Sequence, residues 1–180
     1  MENRAVSEPD SAAIERALRQ RKAALELEIR QIQTDREAYY LIIDLSGKAV
    51  HLKSSANLLR TCPVQNYRLL PRMPDGPMLL HMVNRVHPVT PIPGERRRRL
   101  RGRCLPVDFV GRLVEGPREA TRLYLTPSLV IQPTGLSFPS GCSHLELQPA
   151  DVKALASALQ PGNAAILIPP MDAPGNGTSR

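Results

Sequence analysis

Three short apolar runs separated by tight polar turns follow one another between residues 39 and 64, and this pattern constrains the fold more than any other feature. The runs occupy residues 39–45, 49–53 and 58–64, with turns at residues 46–48 and 54–57. Strands joined by turns of this length form an antiparallel meander. The chain also contains 18 Pro and 11 Gly, which favour many turns. A mostly β domain is therefore predicted.

A charged helix is predicted before the meander, over residues 11–37. Ser11 is a candidate N-cap, and pairs such as Glu15–Arg19 support a helix because the acid precedes the base by four residues. The apolar residues that recur at helical spacing are Ile14, Leu18, Leu25, Ile29 and Ile32. An apolar stripe on a charged helix must be buried. This amphipathic arm is therefore expected either to dock on its own domain or to self-associate through residues 14–32.

The rest of the domain is predicted from turn signals and apolar runs. Further strands are expected at residues 78–83, 104–113, 121–125, 129–132 and 164–168. A helix is expected from Pro149 to residue 159 or 160, because Pro at the first position and Asp151 in the first turn favour a helix start. The domain then spans residues 39–169, with residues 1–10 as a disordered lead and residues 170–180 as a flexible tail.

Two stretches of the sequence resemble parts of the catalytic domain of the cysteine L,D-transpeptidase (YkuD-type) family. The meander, IIDLSGKAVHLKSSANLLRTCPV, is similar to the family's N-terminal strands. The run Ser140-Gly141-Cys142-Ser143-His144-Leu145, followed by the helix at 149–160 and the strand AAILI, is similar to the family's S-H-G-C-I-R-L motif and its C-terminal ending. Met73-Pro74-Asp75-Gly76-Pro77 partly matches a T-P-x-G-x-F segment. The resemblance spans roughly residues 39–169.

The resemblance implies both a fold and a chemistry. The fold is a mostly β (α+β), L,D-transpeptidase-like antiparallel sandwich or open barrel, with one C-terminal-side helix and the N-terminal amphipathic helix. The chemistry is acyl transfer through a cysteine thiolate to an amine, which requires a base and oxyanion donors. Cys142 matches the nucleophile and Gly141 the motif glycine. Ser140 stands where the motif has His, and His144 stands where it has Arg.

One replacement bears directly on catalysis. The family's catalytic His ends the strand before the motif loop, and the matching position here is Gln132. Glutamine cannot accept a thiol proton at neutral pH, and loss of a general base costs about 10²–10⁴-fold in rate. The interpretation is a degenerate transpeptidase-like domain in which Ser140, Gly141 and Gln132 contact substrate. Its expected partners are peptidoglycan stem peptides or an envelope protein, and no cofactor is expected.

Two other functions stay open. In the first, Cys142 is an active nucleophile and its base has moved, with His144 the candidate at two positions' distance in an extended segment. In the second, the chain is a basic nucleic-acid-associated protein, since its formal charge is +7 and residues 95–103 read ERRRRLRGR. No aromatic residue interleaves that run, and no nucleic-acid-binding signature accompanies it. The sequence therefore disfavours nucleic acid as a partner.

The spacing of the cysteines and the composition of the N-terminus bear on metal binding and on the cellular compartment. The three cysteines, Cys62, Cys104 and Cys142, have no paired spacing, so neither a disulfide framework nor a zinc site is expected. Cys62 and Cys104 are interpreted as small packing residues. The first 15 residues carry acids and no apolar run, which does not fit a secretory signal peptide. The family resemblance implies the bacterial envelope instead, so localisation stays open.

Overall fold

A computed structural model describes residues 11–71, 75–86, 121–136 and 142–170 of the 180-residue chain. Within these ranges the elements, in chain order, are α1 (Ser11–Thr34), β1 (Tyr39–Asp44), β2 (Ala49–Ser54), β3 (Asn57–Pro63), β4 (Asn66–Arg68), β5 (Met78–Val86), β6 (Arg122–Thr126), β7 (Leu129–Pro133), β8 (Ser143–Leu147), α2 (Pro149–Ala158) and β9 (Ala164–Ile168). The predicted fold class, mostly β with an N-terminal helix and one helix near the C-terminus, is confirmed. The predictions for residues 1–10, 104–113 and 171–180 lie outside the described ranges.

The strands form one sheet in the order β3-β2-β1-β9-β5-β6-β7-β8-β4. The predicted meander is present, because β1 pairs antiparallel with β2 and β2 with β3. Ser55 and Ala56 have φ of 48° and 67°, which is the left-handed conformation that a tight hairpin turn requires. The pairs β1–β9 and β7–β8 are parallel, and the sequence analysis, which predicted a mostly antiparallel domain, named no partners for these strands. Their partners are distant in sequence, and no local turn signal reports them.

The main core lies on one face of the sheet, which we call the inner face. Alternate residues of β1, β2, β5, β6, β7, β8 and β9 point into it, and Val152, Leu155 and Ala156 of α2 complete it. Cys62 is fully buried in this core, which agrees with its interpretation as a packing residue. The predicted helix start is also present, with Pro149 and Asp151 both in the first turn of α2.

Helix α1 docks on the opposite, outer face of the sheet. Ala24 is buried there with Tyr40 and Ile42 of β1 and with Ala164 and Ile166 of β9. The Glu28 carboxylate accepts a hydrogen bond of 2.8 Å from the Tyr40 hydroxyl and also pairs with the Lys53 ammonium. Burial, together with this carboxylate, raises the pKa of Tyr40 above its ordinary value.

The end of α1 is defined by Asp35. Its carboxylate accepts hydrogen bonds from the backbone N–H groups of Glu37 and Ala38, at 3.2 and 3.1 Å. An aspartate that binds the backbone two and three residues later stabilises a turn. The chain therefore leaves the helix after Thr34 and enters β1 at Tyr39. Neither described helix has the length and apolar character needed to cross a membrane.

A side-chain ion pair links the meander to α2. Arg60 of β3 donates to one carboxylate oxygen of Asp151 from its Nε at 3.0 Å and from its Nη2 at 2.7 Å. The Asp151 side chain is 12% exposed, and it also lies in the first turn of α2, where a negative charge is favoured by the helix dipole. This pair holds the helix over the inner core.

We expect Asp151→Ala to lower the free energy of unfolding by about 1–2 kcal/mol, because it removes a partly buried charge-assisted pair and a helix N-terminal acid. Urea denaturation measures the change. The matched control is Glu15→Ala, whose pair with Arg19 is exposed at 74% and 65% of the two side chains and should change the value by less than about 0.5 kcal/mol. Equal effects for the two variants would contradict the assigned role of Asp151.

Candidate active site

Cys142 lies immediately before β8 and is half-buried with a free thiol. The strand that follows carries His144 at its second position and Glu146 at its fourth. Side chains alternate along a strand, so His144 and Glu146 share one face. Cys142 lies in a bend one residue before the strand begins, and it precedes His144 by two residues. Of the other predicted site residues, Ser140 and Gly141 lie outside the described part of the chain.

This face is the outer face of the sheet, on the half that α1 does not contact. The register pairs His144 with Val130 and Glu146 with Gln132 in the parallel ladder between β8 and β7. Tyr124 of β6 pairs with Val130, and Arg122 precedes it by two residues on the same face. The alternate residues Leu123, Ile131 and Leu145 belong to the inner core. We call the set Arg122, Tyr124, Gln132, His144 and Glu146 the polar row.

Every member of the polar row is buried. Gln132 is 0% exposed and Glu146 only 7%, with Arg122, Tyr124 and His144 between these values. Polar and ionisable side chains are rarely buried unless they are paired or serve a function. Such groups, collected on one face beside a half-buried thiol, define the candidate active site.

Gln132 has a hydrogen bond on one side of its amide only. Its Nε2 donates to the Leu136 carbonyl at 3.4 Å, while its Oε1 is buried and has no hydrogen-bond partner among the described residues. A buried polar atom without a partner costs free energy and is therefore a candidate contact for a ligand. The Oε1 of Gln132 can accept a hydrogen bond, and its contact with substrate stays a prediction.

His144 is influenced by three features of its surroundings. Burial lowers the pKa of its imidazole, the Glu146 carboxylate raises it, and the Arg68 guanidinium lowers it, for a net decrease from the ordinary value. Arg68 reaches the site because β4 pairs antiparallel with β8, which sets Arg68 opposite His144. The lowered pKa consequently favours the neutral imidazole. A neutral imidazole can accept a proton, although burial opposes the charged form.

Ser143 anchors the start of β8 from the inner face. Its hydroxyl oxygen accepts a hydrogen bond of 3.0 Å from the Leu70 backbone N–H, and its own N–H donates to the Ser128 carbonyl at 2.9 Å. Both bonds fix the residue that follows Cys142, so they limit the positions open to the thiol. The sequence analysis assigned no role to this serine.

The polar row also contains residues that the sequence analysis missed. Arg122, Tyr124 and Glu146 alternate with buried leucines in their strands, and a period of two was the available signal. The same pattern is typical of an ordinary strand with one solvated face. Only the burial of the outer face distinguishes the strands of the polar row from such an ordinary strand.

The other described histidines lie elsewhere in the sheet. His51 is in β2, where its Nδ1 lies 3.1 Å from the Thr61 hydroxyl. His81 is exposed in β5, and β6 and β7 separate that strand from β8. His87 falls outside the described ranges. Among the described residues, His144 is therefore the histidine nearest in chain and strand to Cys142. These residues also contain no cluster of three or more His, Cys, Asp or Glu side chains suited to a metal ion.

The two described cysteines have different environments. Burial, and the nearby Asp151 carboxylate, raise the pKa of Cys62 to about 11, against a lowering by Arg60. Cys142 is half-buried beside the polar row. Since the thiolate is the nucleophile, Cys62 is protonated and inert at neutral pH, and Cys142 is the candidate.

Comparison with known proteins found similarity only at the level of solved structures. No protein-family model matches the sequence, and no curated protein does. L,D-transpeptidase 1 of Mycobacterium tuberculosis is 18% identical, with a TM-score of 0.45 over 74% of this chain and 62% of that one. An L,D-transpeptidase from Mycobacterium smegmatis is 13% identical, with a TM-score of 0.44 over 73% of this chain and 58% of that one.

A third similar structure is the catalytic domain of an E. faecium L,D-transpeptidase acylated by ertapenem. It is 11% identical, with a TM-score of 0.40 over 73% of this chain and 98% of that domain. The chain spans about three fifths of the length of the two mycobacterial structures. The family that the sequence resembles is thus also the family of these solved structures. Similarity at this level describes what the chain resembles and carries no argument about activity.

We expect the titration of His144 to respond in opposite directions to its two charged neighbours. Glu146→Gln removes the carboxylate that raises the pKa and should lower the midpoint, whereas Arg68→Gln should raise it. NMR of the imidazole C–H signals measures both midpoints. Shifts of the same sign in the two variants would contradict this arrangement.

The free energy of unfolding should depend on pH through the titration of His144. A histidine with a lowered pKa in the folded state stabilises the fold fully above its unfolded pKa of about 6.5, and this stabilisation is lost as the pH falls below that value. Urea denaturation at several pH values between 7.5 and 5.5 should therefore show falling stability. His144→Gln should have a weaker pH dependence over this window.

Alkylation should distinguish Cys142 from Cys62. At pH 8 a thiol of pKa about 11 is roughly 10⁻³ thiolate, and Cys62 is also fully buried. Iodoacetamide is expected to modify Cys142 in the folded protein and Cys62 only after denaturation in urea. Peptide mass spectrometry over time gives the two rates, and modification of Cys62 at the faster rate in the folded state would contradict its core position.

Proposed function

We propose that this chain is an L,D-transpeptidase-like domain that binds peptidoglycan stem peptide with reduced or absent catalysis. The observation that carries the proposal is the state of Gln132. A buried amide stands at the position that the family resemblance assigns to the catalytic histidine, with its Oε1 unpaired among the described residues. An amide can orient a peptide through hydrogen bonds, but it cannot remove a thiol proton.

The polar row gives such a domain the means to recognise peptide. Glu146 lies level with Gln132 across the β7–β8 ladder, and Arg122 is on the same face two residues from Tyr124. Together these side chains offer a carboxylate, an amide and a guanidinium at one end of the sheet. Amides, ammonium groups and carboxylates of a stem peptide are the chemical complements of these groups.

A second candidate function is acyl transfer by Cys142 with His144 as a relocated base. The observation that favours it is that His144 follows Cys142 by two residues, and burial, which lowers the pKa of the imidazole, favours its proton-accepting neutral form. In this reaction the thiol proton passes to the imidazole and the sulfur attacks a peptide carbonyl. The C–N bond breaks, the leaving amine takes the proton, and a thioester forms. An acceptor amine then attacks the thioester, and the thiol is regenerated.

Acylation by ertapenem separates the two candidates, because it requires a nucleophilic Cys142. Intact-mass spectrometry would follow adduct formation in the wild type, Gln132→His, Cys142→Ala and His144→Gln. Under the first proposal the wild type forms little or no adduct, and Gln132→His gains a rate of at least about 10²-fold, since it restores a base. Cys142→Ala should form none. Rapid acylation of the wild type that His144→Gln abolishes would support the second candidate and defeat the first.

Binding is tested separately, with a synthetic tetrapeptide stem and isothermal titration calorimetry. We expect wild type and Cys142→Ala to bind it, and Gln132→Ala to bind at least about tenfold more weakly, which corresponds to about 1.4 kcal/mol. The matched control is His81→Gln, an exposed position in β5 away from the polar row. Absence of binding by a folded wild-type protein, together with absence of acylation, would refute both candidates.

A further inference from the structure

Helix α1 has a second apolar face that the sheet does not cover. Its members are Ile14, Leu18, Leu25 and Ile29, with exposures of 46%, 62%, 52% and 54%. At about 100° per residue these four side chains fall within an arc of about 60°, whereas Ala24, which packs on the sheet, lies outside that arc. We call these four residues the outer stripe. Docking on the domain therefore leaves most of the predicted apolar surface of α1 exposed.

The outer stripe borders an open cleft of about 490 Å³ between α1 and the outer face of the sheet. Leu25 lines this cleft from the helix, and Leu58 of β3 lines it from the sheet. Leu58 is 57% exposed. Exposed apolar surface is thus concentrated along one side of α1, and contiguous surface of this kind marks an interaction site.

The spacing of the outer stripe is symmetric about a point between residues 21 and 22. Ile14 and Ile29 are equally far from that point, and so are Leu18 and Leu25. A second helix running antiparallel would therefore bring Ile14 opposite the partner's Ile29 and Leu18 opposite the partner's Leu25. A self-complementary patch of this kind is what a two-fold interface requires.

The charges beside the stripe have the same symmetry. Glu15, Arg19, Glu26 and Arg30 follow one flank of the helix. In the antiparallel arrangement Glu15 lies near the partner's Arg30, and Arg19 lies near the partner's Glu26. Four opposite-charge pairs result in the dimer. Arg21 and Lys22 are the exceptions, because both lie at the two-fold axis, where each is close to its own copy in the partner.

We propose that the chain forms a homodimer through the outer stripe, with the two α1 helices antiparallel. The occupant of this surface is a second copy, because both the apolar spacing and the flanking charges are self-complementary. The proposal does not depend on the proposed function, since the sheet residues that pack with Ala24 of α1, in β1 and β9, are not members of the polar row.

Sedimentation equilibrium of the full chain tests the proposal. A concentration-dependent approach to twice the monomer mass of 19.9 kDa is expected. Leu18→Glu/Leu25→Glu should give the monomer mass over the same range, and Lys22→Gln should tighten the dimer by a few fold because it removes one of the two like charges that each helix places at the axis. The matched control is Leu59→Glu, an exposed leucine of β3 next to Leu58 that does not line the cleft. Circular dichroism checks that every variant is folded.

Cysteine cross-linking tests the orientation. In a background with Cys104 and Cys142 changed to Ala, equimolar Ile14→Cys and Ile29→Cys proteins should form mixed disulfide dimers on oxidation. Neither protein alone should do so, because identical positions are about 20 Å apart in an antiparallel pair. Cross-linking of the single variants with themselves would overturn the antiparallel arrangement.

Two results would overturn the dimer itself. One is a monomer mass for the wild type at every concentration. The other is a wild type that stays monomeric but sediments with anionic lipid vesicles, with the interaction lost in Leu18→Glu/Leu25→Glu, since the stripe would then face a membrane surface. Binding of the tetrapeptide stem by the monomeric double variant should match that of the wild type, so failure of the dimer and failure of the proposed function can be told apart.

Discussion

The insertion of β9 between β1 and β5 is the constraint on which the rest of the structure depends. It pairs parallel with β1 and antiparallel with β5, so it joins the N-terminal meander to the strands of the candidate site. Its alternate residues serve two cores, with Ala165 and Leu167 inward and Ala164 and Ile166 toward α1. A strand buried on both faces must be apolar throughout, and AAILI satisfies this condition.

The elements that the sequence predicted are those with local signals. The meander, α2 and β9 have turn residues, a proline helix start or a bounded apolar run, and all three are present. The strand β4 was not predicted, because three residues, Asn66–Arg68, are too short to have a period. The parallel pairs were missed for a related reason. Their partners are brought together by the whole fold, and no turn or spacing reports such contacts.

The candidate site was predictable in its chemistry but not in its arrangement. Cys142, His144 and Gln132 could be identified from residue types and motif order, yet their relation follows from the β7–β8 register, which sets Gln132 level with Glu146. The burial of Glu146 and Arg122 was not visible, since alternating polar and apolar residues are normal for a strand with a solvated face. Ser140 and Gly141 stay predictions.

The outer face of the sheet is divided between two kinds of surface, and this division has a physical cause. Over β1 and β9 the outward residues are Tyr40, Ile42, Ala164 and Ile166, which need an apolar cover, and α1 supplies it. Over β6 to β8 the outward residues are mostly polar, and they offer no apolar surface on which the apolar stripe of a helix could be buried. The position of α1 over β1 and β9 therefore follows from the apolar outward residues of these two strands.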